Sequence, residues 1–213
     1  MKIALISQKG GVGKSAVARL LAVEFTKAGW SVKIADLDTA QGTSTKWKAR
    51  RDRAGLVPDV AVEKFRTVER ALQEAERYDL MILDGPAHAE KGGLVMARNS
   101  DFVLMPTGYG LDDMEAQVEA AYEMESAGIP ADRVSFLFCC VKGSEAEDRD
   151  ARAYLRKAGV CVLEPVFPEQ SCIRQAHNEG RAASEVAFPS VQEKVNSVVQ
   201  AVADQLSARR EAA

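Results

Sequence analysis

Residues 8–15 read Gln8-Lys9-Gly10-Gly11-Val12-Gly13-Lys14-Ser15 and directly follow the apolar run Ile3-Ala4-Leu5-Ile6. A glycine-rich turn between a strand and a helix is the usual way to hold a nucleoside triphosphate. The glycines let backbone N–H groups and the positive helix N-terminus point at one anion. The pattern therefore predicts a phosphate-binding loop made of Gly10, Gly11, Val12, Gly13, Lys14, Ser15 and Ala16. Within it, Lys14 is expected to reach the β- and γ-phosphates, and the Ser15 hydroxyl is expected to bind Mg²⁺.

The start of this loop departs from the common pattern. Gln8 stands where the common loop has its first glycine, and Lys9 adds a second cation beside Lys14. This second lysine narrows the prediction from nucleotide binding in general to a particular ATPase mechanism.

Composition limits the classes of protein to consider. The 213 residues suit one α/β domain spanning 1–213, and a 46% hydrophobic content argues against disorder. The net charge of −3 means that any nucleic-acid contact must use a local patch. No apolar run approaches the roughly 18–20 residues that cross a bilayer, and the N-terminal one is too short for a signal peptide. The four cysteines form no C-x-x-C pair. We therefore expect a reduced, cytoplasmic protein without membrane contact.

Short apolar runs alternate with helical patterns along the chain, which predicts βα units and a mostly parallel sheet. The runs are continuously apolar, as a sheet covered on both faces requires. The expected fold is a single P-loop NTPase domain of the α/β class, with a twisted sheet flanked by helices on both faces. A final helix over Pro189–Ala208 is expected to pack its valine stripe on the sheet. The candidate strands are Lys2–Ser7, Val32–Asp36, Asp59–Glu63, Leu80–Asp84, Phe102–Pro106, Arg133–Val141 and Val160–Val166.

Carboxylates follow two of these strands and complete the predicted site. Asp84 ends an apolar strand and precedes Gly85-Pro86, which is typical of the carboxylate that holds Mg²⁺ in P-loop enzymes. Asp38 is predicted to orient the attacking water or accept its proton, and to lie at the metal. Asp36 is the alternative for that role and otherwise a structural carboxylate. Because the carboxyl ends of parallel strands share one edge, all three are expected beside the loop.

These motifs together resemble the ParA/MinD family of deviant-Walker ATPases. The resemblance rests on Lys9–Ser15, Asp36-Leu37-Asp38 and Leu83-Asp84-Gly85-Pro86, and it continues through Met105-Pro106-Thr107. It also includes Pro168-Glu169-Gln170, Arg174-Gln175-Ala176 and Gly180, which are similar to the adenine-side loop and following helix of the family. The chain resembles most the short partition ATPases, since the loop at residue 8 leaves no room for an N-terminal helix-turn-helix.

The resemblance implies an Mg-dependent ATPase that is slow without a partner. It implies that Lys9 crosses a dimer interface to the phosphates of the partner subunit, so that ATP holds a sandwich homodimer together and hydrolysis releases it. A cation from the opposite subunit would stabilise charge developing on the γ-phosphate. Base contacts by Pro168, Glu169 and Arg174 rest on the resemblance alone, as does ATP rather than GTP.

A basic run at residues 46–53 is the candidate surface for DNA. It carries five cations and one anion, and on a helix Lys46, Arg50 and Arg53 share one face. It follows the Asp38–Gln41 loop, so nucleotide state could change its presentation. The alternatives are a dimer interface and an ordinary solvated helix face. The predicted contacts with non-specific double-stranded DNA are Lys46, Lys48, Arg50, Arg51, Arg53, Arg174, Arg181, Arg209 and Arg210.

The leading hypothesis is a nucleoid-associated partition or positioning ATPase, released from DNA when a ParB-like or other cargo adaptor stimulates hydrolysis. One alternative is a MinD-like membrane-associated positioning ATPase, although the chain after Leu206 lacks an apolar face. Others are a P-loop ATPase of metal-cluster metabolism or one of small-molecule metabolism. Of the two histidines, His88 is expected on a surface loop or near the γ-phosphate, and His177 is expected to contact solvent.

Overall fold

The protein was analysed as a computed structural model, which describes residues 1–87, 90–142 and 144–211, with the side chains of residues 90 and 91 excepted. Eight strands and eight α-helices are found in this part of the chain. The strands are β1 (Lys2–Ser7), β2 (Val32–Asp36), β3 (Ala61–Lys64), β4 (Leu80–Ala87), β5 (Phe102–Thr107), β6 (Val134–Val141), β7 (Cys161–Val162) and β8 (Phe167–Pro168). The helices are α1 (Lys14–Lys27), α2 (Thr43–Arg53), α3 (Val68–Leu72), α4 (Glu90–Arg98), α5 (Leu111–Ser126), α6 (Glu145–Lys157), α7 (Ser171–Asn178) and α8 (Pro189–Glu211).

The strands form one sheet in the order β3-β2-β4-β1-β5-β6-β7, with β8 also paired to β6. Every pairing between described strands is parallel. The sheet therefore brings the loops after β1, β2 and β4 to the same edge. The predicted α/β class and parallel sheet are confirmed.

Side chains of the central strands alternate between two cores, as the period of a strand requires. In β1, Ile3 and Leu5 belong to the core that packs against α1, α2, α7 and α8. Ala4 and Ile6 belong to the opposite core, which packs against α3, α4, α5 and α6. Helices thus cover both faces of the sheet, which explains why its strands are apolar throughout.

The terminal helix α8 packs its valine stripe on the sheet, as predicted. Val195, Val198 and Val202 are fully buried, and Leu206 is nearly so. Across the part of the chain that the structure describes, no helix has both the length and the apolar character that a bilayer crossing needs.

The predicted strand over Val160–Val166 is the one clear error in the fold. The chain instead forms two two-residue strands, β7 and β8, which pair with the two ends of β6. Pro165 lies between them and has no N–H to donate, so a continuous ladder through this segment would lose a hydrogen bond. The third strand is also displaced slightly, and it runs over Ala61–Lys64 rather than Asp59–Glu63.

Candidate nucleotide site

The loop between β1 and α1 has the backbone of a phosphate cradle. Gly11 and Gly13 have φ values of 78° and 98°, which favour glycine over any other residue. A Cβ on Gly13 would lie 3.2 Å from the Cβ of Cys139 and 3.3 Å from the Sγ of Cys140. Gly13 caps α1 without a side-chain hydrogen bond, so the first-turn N–H groups of that helix remain available for an anion.

Lys14 lines a cleft of about 240 Å³ together with loop residues, Ser15 and Asp38. Its ammonium donates a hydrogen bond to the carbonyl oxygen of Lys9 at 3.1 Å. Burial lowers the pKa of Lys14, and the charges of Asp84 and Asp38 oppose that shift. Lys14 is thus a largely buried cation that lines the cleft beside the glycine loop, and its contact with the β- and γ-phosphates stays a prediction.

Hydroxyl and carboxylate oxygens converge beside the first turn of α1. Ser15 Oγ lies 2.9 Å from Thr43 Oγ1 and donates to Asp84 Oδ1 at 3.2 Å, while Ser44 Oγ donates to Asp84 Oδ2 at 2.7 Å. Burial raises the pKa of Asp84 to about 6, and the Ser44 and Ser15 hydrogen bonds oppose the shift. Mg²⁺ prefers oxygen ligands, and in nucleotide sites one or two carboxylates suffice because phosphates and waters supply the rest. The donor set fits Mg²⁺.

The two carboxylates after β2 have different surroundings. Asp38 lines the cleft, and its Oδ1 accepts a hydrogen bond from the Gln41 N–H at 2.9 Å. Asp36 is fully buried, and its Oδ2 accepts from the N–H and the hydroxyl of Thr45, both at 2.8 Å. Asp36 therefore joins β2 to the first turn of α2, which matches the structural role that the sequence left open for it. Asp38 instead lines the cleft, where it can contact a bound ligand.

Lys9 has a different environment from Lys14. Its ammonium forms an ion pair with Asp113 on α5, and 41% of its side chain is exposed. The hydrogen bond to Asp113 raises the pKa of Lys9. Gln117, one turn further along α5, is buried, accepts a hydrogen bond from the Gln8 N–H and donates one to the Pro106 carbonyl. Helix α5 thus fixes the start of the loop and holds its extra lysine at the surface.

The chain matches the family model described as the CobQ/CobB/MinD/ParA nucleotide binding domain over residues 3–183. It belongs to this family. The match contains the phosphate cradle, both carboxylate loops and α7, so the resemblance inferred from the motifs is confirmed, and with it the assignment to a family of nucleotide-binding ATPases. No curated protein matches the chain.

Solved structures of MinD/ParA-type proteins share the fold at low sequence identity. MinD of Pyrococcus horikoshii, complexed with Mg-ADP, is 18% identical over 98% of each chain with a TM-score of 0.76. McdA of Cyanothece in an ATP complex is 15% identical over 95% of this chain and 96% of that one, at 0.70. A Borrelia burgdorferi protein described as a plasmid partition protein, bound to AMPPNP, is 15% identical over 96% and 98%, at 0.69.

The predicted base-side residues lie close to the cradle but on another loop. Pro168 is buried in β8, and Glu169 forms ion pairs with Arg174 at 2.7 Å and with Lys142 at 3.5 Å. The charges of Glu169 and Arg174 act on the thiol of Cys140, whose Sγ lies 3.3 Å from where a Cβ on Gly13 would stand. The structure therefore brings this loop to the back of the cradle, while its role in holding a base remains a prediction of the family resemblance.

Arg51, predicted from the basic run to contact DNA, is inside the protein. It is 0% exposed, and its guanidinium forms a bidentate ion pair with Glu185 at 2.8 and 3.0 Å. It also donates to the carbonyl oxygens of Pro58 and Gly180, both at 3.1 Å. This prediction is wrong as a surface contact, because the residue is four positions from the fully buried Trp47 and shares its inward face.

Other predicted DNA contacts divide into occupied and exposed side chains. Five are engaged within the chain: Lys48 with Asp52 and Asp59, Arg50 with the His177 carbonyl, Arg174 with Glu169, Arg181 with Glu179, and Arg209 with the carbonyls of Gln205 and Asp132. Arg209 also stacks over Phe102, with its Cζ 4.8 Å from the ring centroid. Lys46, Arg53 and Arg210 are exposed, and Arg174 is exposed as well despite its ion pair.

His177 is only partly exposed, whereas its polar surroundings in the sequence predict a solvated side chain. Its Nε2 is buried without a hydrogen-bond partner among the described residues. Burial lowers its pKa to about 3, and the charges of Arg19 and Arg50 add to the effect. His88 lies outside the described residues.

Several site residues were missed by reasoning from the sequence. Thr43 and Ser44 could have been found, because they are hydroxyl residues that follow the Asp38 loop and begin a helix. Asp113 and Gln117 offered no local signal, since they lie 104 and 109 residues from their partners in the loop.

Proposed function

We propose that this chain is a magnesium-dependent partition or positioning ATPase that pairs as an ATP-bound homodimer. The observation that carries the proposal is that the two lysines of the loop lie in different environments. Lys14 lines its own cleft, whereas Lys9 leaves the same loop toward the surface, where Asp113 holds it. A cation in that position is available to the phosphates of a facing subunit, where it would stabilise charge on the γ-phosphate.

Lys14 and the cradle N–H groups would bind the phosphates in this proposal, and Ser15, Asp38 and Asp84 would surround the metal. The metal, when bound, neutralises phosphate charge. Asp38 would orient water, since it lines the cleft. Asp113 would act as the counter-ion of Lys9 in the single subunit. When two subunits pair, a phosphate of the partner's nucleotide would replace Asp113 as the anion beside Lys9.

The test compares three lysine substitutions in ATP-dependent dimerisation, nucleotide binding and hydrolysis. We expect Lys9→Ala to weaken dimerisation and hydrolysis more than ATP capture, and Lys14→Ala to weaken all three. Lys157→Ala, an exposed lysine in the last turn of α6, is the matched control and should behave as wild type. Normal dimerisation and a native hydrolysis rate for Lys9→Ala would refute the proposed trans role.

We also propose that the dimer binds DNA without sequence preference and that a cargo adaptor stimulates its release. Support comes from the exposed cations Lys46 and Arg53 on α2, together with Arg210. Arg174 is exposed too, but it pairs with Glu169. Such phosphate-dominated binding typically has a Kd of about 10⁻⁴ to 10⁻⁶ M at physiological salt. Two such surfaces in one dimer would raise avidity.

The DNA proposal is tested by retention on a DNA surface with ATP, with ADP and without nucleotide, across a salt series. Substituting Lys46 and Arg53 by Gln should weaken retention and lower the salt slope by about 0.9 for each phosphate contact removed. Binding that ignores both nucleotide and salt would contradict the proposal. ATP-dependent sedimentation with liposomes instead would favour membrane association.

A further inference from the structure

Arg19 is a charged residue of the nucleotide cleft that no motif predicts. It lies on α1, one turn beyond Ser15 and Ala16, and it lines the same cleft as they do. Side chains on a helix lean toward its N-terminus, so this one leans toward the phosphate cradle. Only 7% of the residue is exposed.

The guanidinium of Arg19 is poorly satisfied within the chain. Its Nε is buried and has no hydrogen-bond partner among the described residues. Its Cζ lies 5.8 Å from the ring centroid of Trp47, which supports the planar group from one side. Burial lowers its pKa to about 10, so it stays a cation at neutral pH.

The two carboxylates whose charges act on Arg19 form no ion pair or hydrogen bond with it among the described residues. Asp84 accepts hydrogen bonds from Ser15 and Ser44. Asp36 accepts two from Thr45 at Oδ2, and its buried Oδ1 has no hydrogen-bond partner in the described part of the chain. A buried guanidinium with unused donors beside a cleft is costly unless an anion enters that cleft. An oxyanion with several acceptor oxygens matches the planar fork of an arginine.

We propose that Arg19 binds a phosphate of the nucleotide on the side away from the γ-position, in the same subunit that supplies the cradle. The inference rests on the proposed function, because it requires that the cleft holds a nucleoside di- or triphosphate. Arg19 lines the same cleft one turn beyond Ser15 and Ala16, so we assign it the α-phosphate, the one farthest from the γ-position. Trp47 keeps the group oriented when the cleft is open.

The test measures binding of ADP and of ATP by calorimetry to wild type, Arg19→Gln and Arg19→Lys, with Mg²⁺ and with EDTA. Losing charge-assisted hydrogen bonds should weaken both nucleotides by about 10- to 100-fold in the Gln variant. The loss should be equal for ADP and ATP and should persist in EDTA. The nucleotide affinity of Arg19→Lys should fall between those of wild type and Arg19→Gln, because lysine keeps the positive charge and loses the planar, bidentate geometry of the guanidinium. Arg70→Gln, an exposed arginine on α3, is the matched control.

Three results would overturn the inference. Wild-type affinity in Arg19→Gln with a lower melting temperature would make Arg19 a brace for Trp47 only. A loss that disappears in EDTA would mean that it acts through Asp84 and the metal, and a loss confined to ATP would place it at the γ-phosphate. If Arg19→Gln does not fold, unchanged affinity in Arg19→Lys is the refuting result. Wild type without nucleotide affinity would instead reject the proposed function itself.

Discussion

The buried ion pair between Arg51 and Glu185 gives the sharpest quantitative prediction of this structure. Arg51→Met removes a fully buried guanidinium and leaves the Glu185 carboxylate, 13% exposed, without its bidentate partner. It also leaves the carbonyl oxygens of Pro58 and Gly180 without their donor. Removing one partner of a buried pair costs about 3–5 kcal/mol, against a total stability of roughly 5–15 kcal/mol for a native protein.

The assay is urea unfolding at pH 7.5, followed by circular dichroism, with a thermal melt in parallel. For a chain of this length, a loss of about 4 kcal/mol corresponds to a fall in Tm of roughly 10 °C. Arg53→Met is the matched control, since it lies two residues along α2 and is exposed, and its free energy of unfolding should change by less than about 0.5 kcal/mol.

A double-mutant cycle separates the pair from the other contacts of Arg51. Glu185→Gln keeps an oxygen for the Ala182 N–H, which donates to Glu185 at 2.7 Å. In Arg51→Met/Glu185→Gln no unpaired carboxylate remains, so the double variant should recover part of the loss, with a coupling energy of about 1–3 kcal/mol. A cost below about 1 kcal/mol for Arg51→Met, or loss of DNA retention at unchanged stability, would refute the buried assignment and restore Arg51 as a surface contact.

Two further predictions follow from neighbouring residues. The pKa of His177 is lowered to about 3 in the folded protein, against about 6.5 in the unfolded chain. The unfolded state therefore binds the proton more readily, so the contribution of His177 to stability is complete above pH 6.5 and is lost as pH falls. Between pH 7.5 and 5 this loss of folding free energy amounts to at most about 2 kcal/mol. Urea unfolding of wild type and of His177→Gln at pH 7.5 and pH 5 should show this additional loss of stability in wild type only, since Asp84 titrates alike in the two proteins. An equal loss in the two proteins would contradict the prediction. Gly180→Ala should destabilise by about 2–5 kcal/mol, because φ is +81° and a Cβ would lie 2.6 Å from the Arg51 Cα. Gly159→Ala, with φ of +70° and open space around it, should cost only about 1–2 kcal/mol in the same assay, and similar costs for the two would refute the clash.

The parts of this protein that could be predicted from sequence are those in which neighbours along the chain act together. The loop at residues 8–15 contains its own glycines, lysine and hydroxyl, so the strand end, the turn and the helix start could all be predicted from it. Asp84 could be identified as a candidate site residue because an apolar strand leads directly into it. The buried valine stripe of α8 could be predicted from helical spacing alone.

The failures are contacts between distant segments, and the basic run is the instructive case. Five cations in eight residues indicate a polar surface, yet Trp47 and Arg51 are one turn apart and face inward together. The partner that makes this burial tolerable is Glu185, which lies 134 residues away and gives no local signal. The tryptophan within the basic run, Trp47, was the one local indication that a face of this helix is buried.

The same contacts bear on how nucleotide state could act on DNA binding. The sequence predicts that the loop from Asp38 to Gln41 transmits a change of nucleotide state to α2, which follows it directly. In the structure, α2 is tied to the chain around α7 by the Arg51–Glu185 pair, by the Trp47 Nε1 hydrogen bond to the Arg181 carbonyl at 3.1 Å, and by Arg50.

Swinging α2 away would break all of these contacts at once, including a buried ion pair worth several kcal/mol once one partner is lost. Shifting a two-state equilibrium from 1:99 to 99:1 already requires about 5.5 kcal/mol of differential binding. Moving α2 would add the cost of its buried contacts, whereas exchanging Asp113 for a phosphate at Lys9 breaks only a half-exposed pair. Under the proposed function, nucleotide control of a basic surface therefore costs less free energy through pairing of two rigid subunits than through movement of the helix within one.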